Sequence, residues 1–206
     1  CTLYKRFWIG SKILVKRCRC TMKEWNLNTA ELRAHAKEIK VGDMVNLSGT
    51  IYTARDAAHK RLFAMLDEGK DLPFDVKDAV IYYAGPTQAK PGEVIGSIGP
   101  TTSGRMDPYA PRLLDMGLVA MIGKGGRAKP VVDAIVRNGA VYFCAIGGAG
   151  AAISGCIKKV EVLAFEELGC ESLKRLTIEN MPVVCTIDST GQNQFELGRA
   201  EYEVKD

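Results

Sequence analysis

The stretch GPTTSGRMD, residues 99–107, sets two threonine hydroxyls and an arginine beside two glycines. Three further stretches carry a similar mixture at the ends of apolar runs: TARDAAHKR at 53–61, GKGG at 123–126 and GGAGAA at 147–152. Arg55, Arg105 and Lys124 bring a full positive charge to three of the four. An arginine presents a planar fork that matches both oxygens of a carboxylate. Turns that lead from strand to helix leave backbone N–H groups and the helix dipole facing an anion. The chemistry favoured is the binding of a small, multiply negative molecule. Each loop alone has a plainer reading, in which glycines make tight turns and the cations are solvated. Thr101 and Thr102 are also suited to capping a helix, and His59 to a capping or partly exposed place on one. GKGG lacks the GxxxxGK[ST] spacing and GGAGAA is not GxGxxG, so neither nucleotide-binding motif is met.

The elements that must position these loops follow from periodicity. MVNLSGTIYTA (44–54) alternates and is rich in β-branched residues, as one or two strands would be. From Asp56 the spacing becomes helical, with Ala58, Leu62, Met65 and Leu66 on one side and Gly69 as the stop. AVIYYAGP (79–86), EVIGSIGP (93–100), LVAMIGKGG (118–126) and AVYFCAIGGAG (140–150) each read as a short buried strand closed by glycine. PYAPRLLDMG and AKPVVDAIVRNG between them read as helices, and a short helical pattern lies near 29–38. Strand, glycine loop and helix recurring in this way predict an α/β fold with at least partly parallel strands, its ligand at the carboxyl ends. IKKVEVLAFEELG (157–169) and MPVVCTIDSTGQN (181–193) read as strands with turns, and the tail from Phe195 as peripheral.

Composition narrows the function classes. The chain has 206 residues, of which 47% are hydrophobic and 25% charged, as expected of one ordinary globular domain. No apolar run approaches the roughly 20 residues needed to cross a bilayer. Residues 1–25 hold seven Lys or Arg against one Glu, a net +6, which leaves −2 for the rest of a chain whose total is +4. The body is therefore nearly neutral, which argues against a nucleic-acid-binding face. The first 25 residues read as a basic extension, foreign to the domain or disordered, and residues 26–206 as a single domain. Seven cysteines, an odd number without a CxxC pair, fit a reducing cytoplasm and offer no complete metal or cluster motif within this chain.

TARDAAHKR, AGP, GPTTSGRMD, GKGG and GGAGA, in this order over residues 28–195, resemble the β subunit, or C-terminal domain, of class I iron-sulfur-dependent fumarate hydratase. The β subunit of L-tartrate dehydratase is the close alternative, and the GRMD form leans toward fumarate. The resemblance implies a swivelling β/β/α-type domain that closes over a four-iron four-sulfur cluster carried by a separate α subunit. It implies a hydro-lyase, inactive without that subunit, that hydrates fumarate to L-malate in a hetero-oligomer with β–β contacts. Carried over by position, Thr101 and Arg105 are catalytic, Arg55, Thr102, Lys124 and Gly148 bind substrate, and Asp56 and His59 orient Arg55. Two other classes compete: a non-catalytic dicarboxylate-binding module, and a nucleic-acid contact through the basic N-terminus.

Overall fold

The computed structural model describes residues 3–9, 12–18, 22–146 and 148–202. β1 (Leu3–Ile9) and β2 (Lys12–Cys18) pair antiparallel as a two-stranded ribbon. Within the predicted basic extension, residues 1–2, 10–11 and 19–21, and the side chains of both strands, lie outside the described ones. The last two residues of that stretch, Glu24 and Trp25, begin a strand of the main sheet.

Five strands run parallel and side by side: β3 (Glu24–Asn28), β4 (Met44–Thr53), β5 (Val80–Tyr82), β6 (Ala120–Gly123) and β7 (Val141–Cys144). Two antiparallel strands, β8 (Ile157–Ala164) and β9 (Leu173–Ile187), complete the sheet. β9 pairs with β7 at Cys144–Val184 and with β4 from Met44–Val184 to Thr53–Lys174. The circuit β4-β5-β6-β7-β9 therefore closes into a five-stranded barrel, with β3 and β8 as flanking strands. Register shifts at Leu47/Gly49 and Tyr142/Phe143 supply the bends that closure demands.

Successive strand residues point to opposite faces, and here both faces are dry. Val80, Tyr82, Ala120, Ile122, Val141 and Phe143 share one cluster with Val45, Ile51, Leu176 and Val183, so all five barrel strands fill the interior. The intervening Ile81, Met121 and Tyr142 join a second cluster with Ala58, Leu62, Leu113 and Ile135. These last residues come from the helices α2 (Asp56–Asp67), α3 (Ala110–Asp115) and α4 (Lys129–Asn138), which pack outside. Continuous apolar runs such as AVIYY and LVAMI follow from burial on both faces. The other α-helices are α1 (Leu32–His35), α5 (Gly150–Gly155) and α6 (Gln194–Tyr202). Among the described residues no helix is long and apolar enough to cross a membrane.

The fold corrects several expectations. The sheet is a closed barrel, because β9 is one continuous strand beginning at Leu173 whereas the pattern predicts a strand only from Met181. EVIGSIGP forms no strand. It has a single bridge, Ala84 to Pro100, and its backbone bonds run from Thr87 N–H to the Ser97 carbonyl and from Ile98 N–H to the Gly150 carbonyl. Two glycines and the terminal proline interrupt the run, and only Ile95 and Ile98 are apolar side chains buried in the core. The tail from Phe195 is helical and lies beside the GKGG loop, with the Phe195 ring 3.9 Å from where a Gly126 Cβ would sit.

Phe143 is fully buried inside the barrel. Phe143→Ala is expected to cost about 3–5 kcal/mol, whereas Val136→Ala on the exposed side of α4 should change stability by less than about 0.5 kcal/mol. Urea unfolding of both variants checks the difference.

Candidate active site

Parallel strands deliver their carboxyl ends to one end of the barrel, and the loops singled out above leave from that end. β4 ends at Thr53 and leads to Arg55; β5 leads to Gly85; β6 ends at Gly123 and leads to Lys124; β7 leads to the 147–152 loop. β8 ends at this level and β9 starts there, so the 3-10 segment Glu166–Glu171 between them joins the same rim.

GPTTSGRMD is fastened to GKGG by a buried network. The Thr101 N–H donates to the Tyr83 carbonyl at 2.7 Å, and the Ser103 N–H to the Lys124 carbonyl at 2.9 Å. The Lys124 N–H donates to Ser103 Oγ at 3.1 Å. The Tyr142 hydroxyl bridges Ser103 Oγ at 2.8 Å and the Gly125 carbonyl at 2.9 Å. A Cβ on Gly123 would lie 1.9 Å from Ser103 Oγ, so only glycine lets the two loops meet. Below them Arg127 Nε donates to Asp107 Oδ1 at 2.7 Å, and Asp107 Oδ2 accepts the Ala128 N–H at the start of α4, also at 2.7 Å. The Arg127 guanidinium lies over the rings of Tyr83 and Tyr142, at 5.3 and 5.0 Å.

The two arginines of the site each meet a carboxylate. Arg105 Nη2 lies 2.8 Å from Asp56 Oδ2, and Arg55 Nη2 lies 3.2 Å from Glu171 Oε1. Asp56 and Arg55 are neighbours at the start of α2, so the helix start links both pairs. Lys124, Arg105 and Thr102 are exposed and Thr101 is half-buried, so the group faces solvent. Gly148 sits on the adjacent loop with φ +83, and no atom lies within 4 Å of where its Cβ would be; Gly147 lies outside the described residues. The same loop meets the 97–99 segment through Gly150, not the arginines.

Two roles differ from expectation. Thr102 precedes the 3-10 turn Ser103–Met106, but its hydroxyl makes no cap bond. His59 is fully buried rather than capping or partly exposed: Nδ1 lies 2.8 Å from the Arg55 carbonyl, and the ring stacks on Tyr109 at 5.4 Å. A carbonyl only accepts, so the proton resides on Nδ1. Met106 is buried, and Asp107 pairs with Arg127. Sequence reasoning missed Glu171, Ser103 and Arg127. The signal for Arg127 was adjacency to GKGG; Glu171 lies 116 positions from Arg55 and had none.

Burial lowers the His59 pKa from 6.5 to about 4 against the opposing pull of the Arg55 carbonyl and of Asp56. The imidazole is therefore neutral near pH 7. Between these two values the unfolded chain takes up a proton that the fold refuses, so this contribution is complete above pH 6.5 and is lost as pH falls toward 4. The stability difference between the protein and His59→Gln should shrink by about 3 kcal/mol over that range, read from urea midpoints.

Residues 9–198 match the family described as Fumarase C-terminus. The aerobic class I fumarate hydratase of Salmonella typhimurium is 37% identical over 173 residues, covering 83% of this chain and 30% of the relative. The mitochondrial fumarate hydratase 1 of Leishmania major is 42% identical over 154 residues, covering 74% of this chain and 28% of the relative. A Methanocaldococcus jannaschii chain that carries the name L(+)-tartrate dehydratase subunit beta is 39% identical over 174 residues, covering 81% of this chain and 89% of its own length. The chain thus spans about 30% of the length of the fumarate hydratases it matches. A match over most of the chain, on a barrel whose rim gathers Arg55, Thr101, Arg105 and Lys124, places this protein in the Fumarase C-terminus family.

Proposed function

We propose that this chain is the substrate-closing part of a class I hydro-lyase that adds water reversibly across fumarate to give L-malate. The observation that carries the reading is the convergence of Arg55, Thr101, Arg105 and Lys124 on one barrel end in a chain of this family. Arg55, Arg105 and Lys124 hold the two carboxylates. In the malate-to-fumarate direction, loss of a proton beside a carboxylate places negative charge on that carboxylate, and the fixed cations stabilise it. Thr101 Oγ1 passes that proton, and in hydration returns it to the carbon that does not receive hydroxide. A threonine hydroxyl is a weak base, so the step draws on the surrounding positive charge and on an acidic group outside this chain.

No group of three or more His, Cys, Asp or Glu that could hold a metal occurs among the described residues, so they do not fit a cluster. In this proposal the four-iron four-sulfur cluster sits on another part of the enzyme, a cluster-bearing α subunit. The solvent-facing rim and the subunit name of the Methanocaldococcus jannaschii relative support a complex that closes by a swivel of this domain. Binding within such a closed interface excludes water and strengthens each ionic contact. A cytoplasmic location belongs to the same proposal.

Anaerobic loss of fumarate absorbance, with tartrate run in parallel, tests the reading on this chain with and without the cluster-bearing part. The mixture should convert fumarate and neither component alone should do so. Thr101→Ala should lower kcat by about a hundredfold or more with fumarate KM little changed. Turnover of tartrate alone would transfer the proposal to L-tartrate dehydratase. Binding of a dicarboxylate without turnover of either would make this a binding module.

A further inference from the structure

Arg55 is held by a part of the chain far from it in sequence. Its Nη2 lies 3.2 Å from Glu171 Oε1, while Glu171 Oε2 accepts the Ala57 N–H at 3.1 Å. One carboxylate is thus bound both to the arginine and to the open N-terminus of α2, the helix that begins after Arg55. The arginine and the turn holding Glu171 pass together behind Gly85, where a Cβ would lie 2.9 Å from Arg55 Nη1 and 3.1 Å from the Cys170 carbonyl.

That turn has a fastening of its own. Glu171 ends a 3-10 segment in which Gly169 departs from helical geometry with φ 58; the Gly169 carbonyl accepts the Ser172 N–H at 3.2 Å, and the carbonyls of Gly169 and Ser172 both face Lys174. Lys174 gathers them. Its ammonium donates to the Gly169 carbonyl at 2.9 Å and the Ser172 carbonyl at 3.4 Å, and also to the Ser172 hydroxyl. Lys174 is 8% exposed although it carries a charge. Its ammonium has no carboxylate partner among the described residues, and burial lowers its pKa. A lysine buried on carbonyls alone holds backbone in place rather than completing an ion pair.

We propose that Glu171, fixed by Lys174 through the 169–172 turn, is a positioning residue that sets the Arg55 guanidinium for a substrate carboxylate. The inference rests on the reading of Arg55 as a carboxylate-binding residue. An unrestrained arginine carries rotamer entropy that a ligand must overcome. Glu171 occupies Nη2, and the Arg55 side chain keeps 22% of its surface exposed, where a ligand can reach the guanidinium. Pinned by the helix N-terminus as well, the carboxylate stays in place when substrate arrives.

The complete enzyme with Glu171→Gln tests this, since glutamine still accepts the Ala57 N–H but loses the charge that orients Arg55. Fumarate KM should rise about tenfold with kcat changed less than about threefold. In an Arg55→Ala background the same substitution should add nothing, because the effect runs through Arg55. Lys174→Met should shift KM in the same direction. A KM that falls would make Glu171 a competing counter-ion. An unchanged KM with lowered melting temperature would make it merely structural, and an undiminished effect without Arg55 would place its action elsewhere; each overturns the proposal. Arg55 Nε–H exchange in arginine-labelled protein gives a readout free of turnover and should accelerate in Glu171→Gln. If the unsubstituted enzyme converts neither fumarate nor tartrate, the functional reading fails, while this exchange still decides whether Glu171 holds Arg55.

Discussion

The pairing of β9 with β4 is the constraint on which the rest depends. Four parallel strands joined by helices bury both faces, but they would leave β4 and β7 with unpaired edges at the level of the site. β9 fills both at once, running antiparallel against β4 along ten residues of that strand and meeting β7 at its far end. Closure defines an interior that Tyr82, Ile122 and Phe143 fill. It also brings the 166–171 segment, from the opposite strand direction, to the rim that receives the β4, β5, β6 and β7 loops. The counter-ion of Arg55 comes from that segment, so the electrostatics of the site depend on the topology of the barrel.

Within the rim, the hydroxyl-bearing loop and the lysine-bearing loop form one rigid piece. Ser103 accepts from the Lys124 backbone and bonds to Tyr142 below, and Gly123 removes the side chain that would separate them. The backbone of Thr101 is anchored to β5 through the Tyr83 carbonyl. Orientation of reacting groups is worth several kcal/mol in catalysis and is lost with displacements near 1 Å. Conservative rearrangement of buried serine, tyrosine and glycine around the site would therefore be felt at Thr101, although none of the three touches solvent at the rim.

What the sequence made legible divides along physical lines. The parallel strands and their helices were readable because burial on both faces writes continuous apolar runs, and Asn138 at the end of α4 is the stop that its Asn-Gly pair predicts. The loops read as an anion-binding site because Arg55, Arg105 and Lys124 stand among glycines at the ends of apolar runs. Barrel closure was not readable, since the first half of β9 (LKRLTIEN) alternates charged and apolar residues as any half-exposed strand would. EVIGSIGP misled because a short apolar run carries no information on whether its backbone has a strand to pair with. The burial of His59 was hidden by its polarity: Tyr83 and Tyr109, which enclose it, come from other elements.

Among the arginine–carboxylate pairs at this end, those of Arg127, Arg105 and Arg55 differ in exposure, and exposure decides what each can do. The Arg127–Asp107 side chains are 0% and 14% exposed, so breaking the pair would leave a buried charge uncompensated, at a cost of about 3–5 kcal/mol. That pair is scaffold and cannot be exchanged for a ligand. Arg105 and Asp56 are 51% and 24% exposed, and a pair of that kind is worth about 1 kcal/mol or less. In the proposed reaction, a dicarboxylate approaching in a water-excluding interface would offer Arg105 a stronger partner than Asp56, and this arginine could turn toward it. Arg55 and Glu171, at 22% and 24%, lie between, and the second bond from Glu171 to α2 tips the balance toward staying paired. Under the proposed function, the rim would hold one arginine ready in place and a second that substrate could recruit, beneath which a third, paired with Asp107, ties the loops together.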